Sequence, residues 1–79
     1  MNNLIIDVPS LAAGDTIRSR LIVLAATAKI SRPAPYYFCG RIQRECRVRV
    51  ATEWTEKKLE DWLYSAEGVD YIGVCEQSV

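Results

Sequence analysis

Between Cys46 and Val50 apolar and arginine side chains alternate without a break: Cys46, Val48 and Val50 share one parity, Arg47 and Arg49 the other. Successive side chains of a strand point to opposite faces, so this run buries one face only. A chain carrying it must build a sheet with one covered side and supply the cover from its own helices. Seventy-nine residues make a single domain, 1–79, and a chain of that size buries roughly 60–65% of its unfolded surface. That leaves little room for a deep internal pocket. The 49% apolar and 25% charged content is the balance of a folded chain, not a disordered one.

The remaining elements read outward from that strand. Leu4-Ile5-Ile6-Asp7-Val8 predicts a first strand ended by Pro9-Ser10. Asp15 is placed to cap a helix with Ile17, Leu21, Leu24, Ala25 and Ala28 on one face. The same segment also fits a strand through Ile17, Ser19, Leu21, Val23 and Ala25, with Leu11 to Asp15 as the turn before it. Ser31-Arg32-Pro33-Ala34-Pro35 holds two prolines and reads as a connection. Tyr36 to Ile42 and Cys46 to Val50 read as paired strands around a Gln43-Arg44-Glu45 turn. Thr55 caps a second helix, with Glu56 in its first turn and Leu59, Trp62, Leu63 and Ala66 along one stripe; Gly68 stops it. Trp54 staples its start, and Tyr71 to Cys75 is the last strand. The expected fold is α+β, a small antiparallel sheet with two helices in β-α-β-β-α-β ferredoxin-like order. If the Asp15–Ile30 segment is extended, the alternative is an antiparallel sheet with one helix.

Several chemistries are disfavoured. The sequence has no histidine, which removes the commonest general base and zinc ligand. Cys39, Cys46 and Cys75 form no Cys-x-x-Cys pair, and their odd number fits reduced thiols better than a disulfide framework. Cys39 and Cys46 flank the expected turn and would face each other across a hairpin; the plainer reading makes all three small apolar strand residues. A thiolate activated by Arg41 or Arg47 is the remaining enzymatic route. Gly14, Gly40, Gly68 and Gly73 are scattered and cradle no phosphate. No cofactor and no metal site is expected, and the chain is not expected to be an enzyme. Met1-Asn2-Asn3 carries no basic cluster, and the longest apolar stretch, Leu21 to Ala26, is far short of the roughly 20 residues that span a bilayer. The expected location is cytoplasmic, with no membrane contact.

Charge is the informative property. The net is zero, yet residues 16–49 hold eight cationic side chains against Glu45 alone, and residues 50–79 hold seven acids against Lys57 and Lys58. Such a chain either neutralises itself or presents two faces of opposite sign. The candidate partner-binding residues are Arg41, Arg44, Arg47 and Arg49, with Glu56, Glu60, Asp61 and Tyr64 on the second helix. Arginine matches phosphate or carboxylate bidentately, and Arg47 and Arg49 fall on one strand face about 7 Å apart. Tyr37, in step with Arg41, would make an aromatic and arginine platform of the kind that stacks bases, but the Gly-aromatic signature of that platform is absent from the strand. The bland alternative is a solvated strand face.

One segment carries a resemblance. Residues 47–64 run from the arginine strand into Thr55-Glu56-Lys57-Lys58-Leu59-Glu60-Asp61-Trp62-Leu63-Tyr64. Thr55, Glu56, Leu59, Glu60, Trp62 and Tyr64 resemble the strand-then-helix segment of small phage-encoded anti-CRISPR inhibitors, over about a quarter of the chain. The resemblance implies a non-enzymatic phage or mobile-element inhibitor acting in the host cell. It would bind a protein or ribonucleoprotein, a CRISPR effector of the Cascade type, and block recognition of target DNA. The other reading is a nucleic-acid-binding module using the arginine face.

Overall fold

The computed structural model describes residues 1–24 and 27–77, with backbone alone at 37, 38 and 42–44. The chain runs β1 (Asn2–Val8), α1 (Leu11–Leu24), β2 (Lys29–Ile30), β3 (Ala34–Phe38), β4 (Arg41–Thr52), α2 (Glu56–Ser65) and β5 (Gly73–Glu76). Every strand pairing is antiparallel. β4 lies between β1 on one side and both β2 and β3 on the other, and β5 lies outside β1. Both helices are crossovers that skip one strand, α1 leading from β1 to β2 and α2 from β4 to β5. This is the ferredoxin-like order expected from the sequence, with its second strand split into β2 and β3. The one-helix alternative falls away because residues 11–24 are helical.

One face of the open sheet is covered. Leu4, Ile6 and Val8 of β1 and Cys46, Val48 and Val50 of β4 form a single buried cluster with Ile17 and Leu21 of α1 and Leu59 and Leu63 of α2. The alternation that opened the reading is obeyed: Cys46, Val48 and Val50 enter this core, while Arg47 and Arg49, of the other parity, are half-buried and exposed. Trp54, Trp62, Val69, Tyr71 and Val74 pack around the cluster. The buried Thr52 accepts from the Trp54 amide at 3.1 Å, turning the chain out of β4 toward α2. Thr55 caps α2 as expected, its hydroxyl accepting from the Lys58 amide at 3.1 Å.

Three local expectations are corrected. Ser10, not Asp15, starts α1: its hydroxyl accepts from the Ala13 amide at 3.1 Å, and its carbonyl from the Gly14 amide at 3.2 Å. The Leu11 to Asp15 segment is helix, not turn. Ala25, placed on the same helical face by the sequence, lies outside the described residues, and Ala28 follows the helix. The hairpin turn is Cys39-Gly40, with φ of 53° and 73°, closed by the Phe38–Arg41 pair. Two positive φ values are what a two-residue hairpin matched to strand twist requires. Gln43, Arg44 and Glu45 therefore belong to β4, which continues unbroken to Thr52. Only Ser31–Pro33 of the proline-rich stretch is a connection. Ala34 and Pro35 enter β3, an edge strand with a register shift between Pro35 and Tyr37, where a missing N–H is tolerated.

Candidate binding face of the sheet

The uncovered face is a grid set by strand register, because directly paired residues share a face. Ala51 pairs with Lys29 of β2 and Asn3 of β1, and the Gln77 amide donates to the Asn3 carbonyl at 2.9 Å. The first row is therefore Lys29, Ala51, Asn3 and Gln77. In the second, Arg49 pairs with Ile5, and Ile5 with Cys75. Ser31 joins by donating its amide to the Arg49 carbonyl at 2.9 Å and accepting from the Arg49 amide on its hydroxyl at 2.8 Å. In the third, Arg47 pairs with Ala34 and Asp7, and Asp7 with Gly73.

The two central arginines differ. Arg47 Nε donates to Asp7 Oδ1 at 3.0 Å, the side chains being 36% and 26% exposed. Its guanidinium also lies over the Tyr36 ring at 3.9 Å. An ion pair this exposed contributes about 0–1 kcal/mol and a cation–π contact about 0.5–1 kcal/mol, so Arg47 braces β1, β3 and β4 together. Arg49 is exposed and uses only its backbone in the contacts above. Ile5 is only 8% exposed although it lies outside the core cluster.

Two open depressions adjoin Arg49. One, of about 320 Å³, is lined by Ile30, Val50 and Ala51 together with Asn3, Lys29, Ser31, Arg49 and Gln77. The other, of about 220 Å³, is lined by Arg32, Pro35, Tyr36 and Arg47 and shares Ser31 and Arg49 with the first. A third groove, of about 440 Å³, runs between the helices, lined by Val23, Leu24, Trp62 and Ala66.

The residues singled out from sequence divide between two sides of the molecule. Arg47 and Arg49 lie on the uncovered sheet face. Arg41 is exposed at the hairpin end of β4. The side chain of Arg44, and that of Tyr37, fall outside the described residues. Glu56, half-buried in the first turn of α2, exposed Glu60 and Asp61, and Tyr64, which is 85% exposed, belong to the helix layer on the other side. The fold thus separates these acids from Arg47 and Arg49, and the carboxylate that pairs with Arg47 is Asp7. Lys29, Asn3, Ser31 and Ala51 were missed as members of the face. Extending the alternation Arg47, Arg49 by one step finds Ala51; Lys29 lay in a segment read as the end of a helix.

The cysteines are corrected too. Cys46 is buried, but Cys39 is exposed in the turn and Cys75 exposed on β5. Cys39 and Cys46 do not face each other, since Cys46 pairs with Pro35 and Val8. Among the described residues no group of acids and cysteines is arranged to hold a metal ion, and no helix is long and apolar enough to cross a membrane. No protein-family model, curated protein or solved structure matches this chain.

Proposed function

We propose that this chain is a non-enzymatic binding protein that docks on a nucleoprotein through the uncovered face of its sheet. Its specific partner is a CRISPR effector complex, and the outcome is loss of target-DNA recognition. The observation that carries the docking reading is the exposure of Lys29, Arg32 and Arg49 around one face that no helix covers. Polyanionic assemblies are drawn to such a face from a distance, and the local charge layout matters more than the zero net charge. The depressions are open and shallow, which suits a broad contact rather than enclosure of a small substrate. The CRISPR effector as partner rests on the resemblance of residues 47–64, and Tyr64 on the opposite layer supplies a further exposed aromatic for contact.

The test mixes the purified protein with a Cascade-type effector and follows binding of labelled target DNA by gel shift. Near-stoichiometric loss of DNA binding is expected from the wild type and not from a Lys29→Glu, Arg49→Glu double variant. A double variant that inhibits as well as the wild type removes the sheet face from the mechanism. Absence of any complex with the wild type removes the effector as partner.

A further inference from the structure

We infer that the groove between α1 and α2 is a second docking surface, and that it takes one amphipathic helix of a partner protein, apolar on the face it buries and basic beside it. The groove lies on the side of the molecule away from the open sheet face, and its role does not rest on the docking reading above. It measures about 440 Å³ and is lined by Ser19, Arg20, Val23 and Leu24 of α1, by Trp62 of α2 and by the α2 cap residue Ala66. Val23 is 78% and Leu24 58% exposed, while Trp62 and Ala66 are half-buried. A single exposed valine is ordinary. Here two aliphatic residues in the last turn of one helix share a concave surface with an indole of the other, and tryptophan is a residue type on which binding energy concentrates. Arg20 donates to the Glu67 carbonyl just past α2, a tie that links the two walls of the groove.

Charge selects the occupant. Neither helix carries a basic residue in its last turn, and both last turns contribute to the groove, so the negative ends of two helix dipoles lie beside it. Asp15, Glu60, Asp61 and Glu67 of the helix layer are exposed, and among the described residues their carboxylates make no ion pair. The cations of the layer are held by the protein itself. Arg18 donates to the Ile30 carbonyl at 3.3 Å, Arg20 to Glu67, and Lys58 lies over the Trp54 ring at 4.7 Å. The negative charge is thus left for an incoming surface, and lysines or arginines flanking an apolar stripe complement it. A helix fits a furrow between two helices ridge into groove, with apolar anchors at i, i+3 or i+4 and i+7. A second copy of this chain fits less well, because its helix layer would bring the same unpaired acids against these.

The experiment uses the full chain and a fluorescein-labelled amphipathic peptide, leucine at i, i+4 and i+7 spacing and lysine elsewhere, followed by anisotropy. A leucine and glutamate peptide of the same pattern is the control. Val23→Lys puts a cation in place of an apolar wall at an exposed position. At least a tenfold loss of affinity is expected for it, with its circular dichroism retained. Asp61→Asn should weaken binding by about two- to fivefold, the size of one exposed ion pair. In the wild type, the lysine peptide should shift the Trp62 indole N–H and the Val23 and Leu24 methyl resonances and leave the Arg49 amide in place, a local readout that needs no variant. Binding by Val23→Lys equal to wild type, or shifts confined to the sheet face, would overturn the groove as a docking surface. A glutamate peptide that binds as tightly as the lysine peptide would overturn the basic partner. A wild-type dimer in sedimentation that Val23→Lys converts to monomer would give the groove to a second copy and overturn the helix of a partner. Loss of peptide binding in Val23→Lys with effector inhibition intact would support two separate surfaces on one chain.

Discussion

A methyl group placed on Gly14 of α1 would come within 2.4 Å of the Pro33 Cβ and 3.2 Å of a Val48 methyl. The helix crosses the sheet at this point, and the interruption between β2 and β3 lets Pro33 sit beneath it. Glycine is the only residue without the offending carbon. In an exposed helix interior Gly14→Ala would stabilise by about 1 kcal/mol; here overpacking reverses the sign. We expect Gly14→Ala to lose about 1–3 kcal/mol and to lower Tm by at least about 5 °C in a thermal melt. A higher Tm would mean that α1 does not approach Pro33 so closely.

The hairpin turn makes the opposite prediction. Cys39 adopts φ 53°, a left-handed conformation that costs most residues about 1–2 kcal/mol and Asn much less. Cys39→Asn should gain about 0.5–1 kcal/mol and remove an exposed thiol. Chemical denaturation reads the gain as a higher midpoint at unchanged slope.

Arg47 and Arg49 are two residues apart and should respond differently to reversal. Arg47→Glu sets a second carboxylate against Asp7 and removes the cation over Tyr36, a loss of about 1–2 kcal/mol. Arg49→Glu, on an exposed side chain, should stay within about 0.5 kcal/mol. Melts of the two single variants decide this. Equal effects would show that the Asp7 pair contributes nothing measurable.

The cap of α2 can be weighed separately. Thr55→Ala removes the acceptor for the Lys58 amide and should cost about 1 kcal/mol, while Thr55→Asp should restore most of it. A Thr55→Ala melt indistinguishable from wild type would place the start of α2 elsewhere.

The legible parts of the fold were those where one period dominates. The Cys46–Val50 alternation and the Leu59–Leu63 stripe each had a single interpretation, and with the first strand they gave the ferredoxin-like order. The first helix was harder to bound because its apolar residues face both ways. Ile17 and Leu21 are buried, while Leu11, Ile22, Val23 and Leu24 are exposed, so helical and alternating patterns overlapped. Gly14 fell in the Leu11–Asp15 segment offered as a turn, and its packing partner, Pro33, is nineteen residues on. The Cys39-Gly40 turn escaped notice because cysteine is not a left-handed residue by habit. At the candidate site, the strand pattern placed Arg47 and Arg49 on one face. It could not tell the braced one from the exposed one, since Asp7 is forty residues away and reaches Arg47 only through register.

The divided second strand has one more effect. Its side of the sheet ends in a two-residue piece, a gap, and a bulged piece carrying Pro35, so an incoming strand finds no continuous ladder there. The far side ends in β5, whose outer backbone has no such interruption. Strand-to-strand joining between copies would then proceed once, β5 against β5 across a two-fold axis, and stop. A sheet that can be lengthened at one margin only forms a closed pair and does not propagate into a fibre.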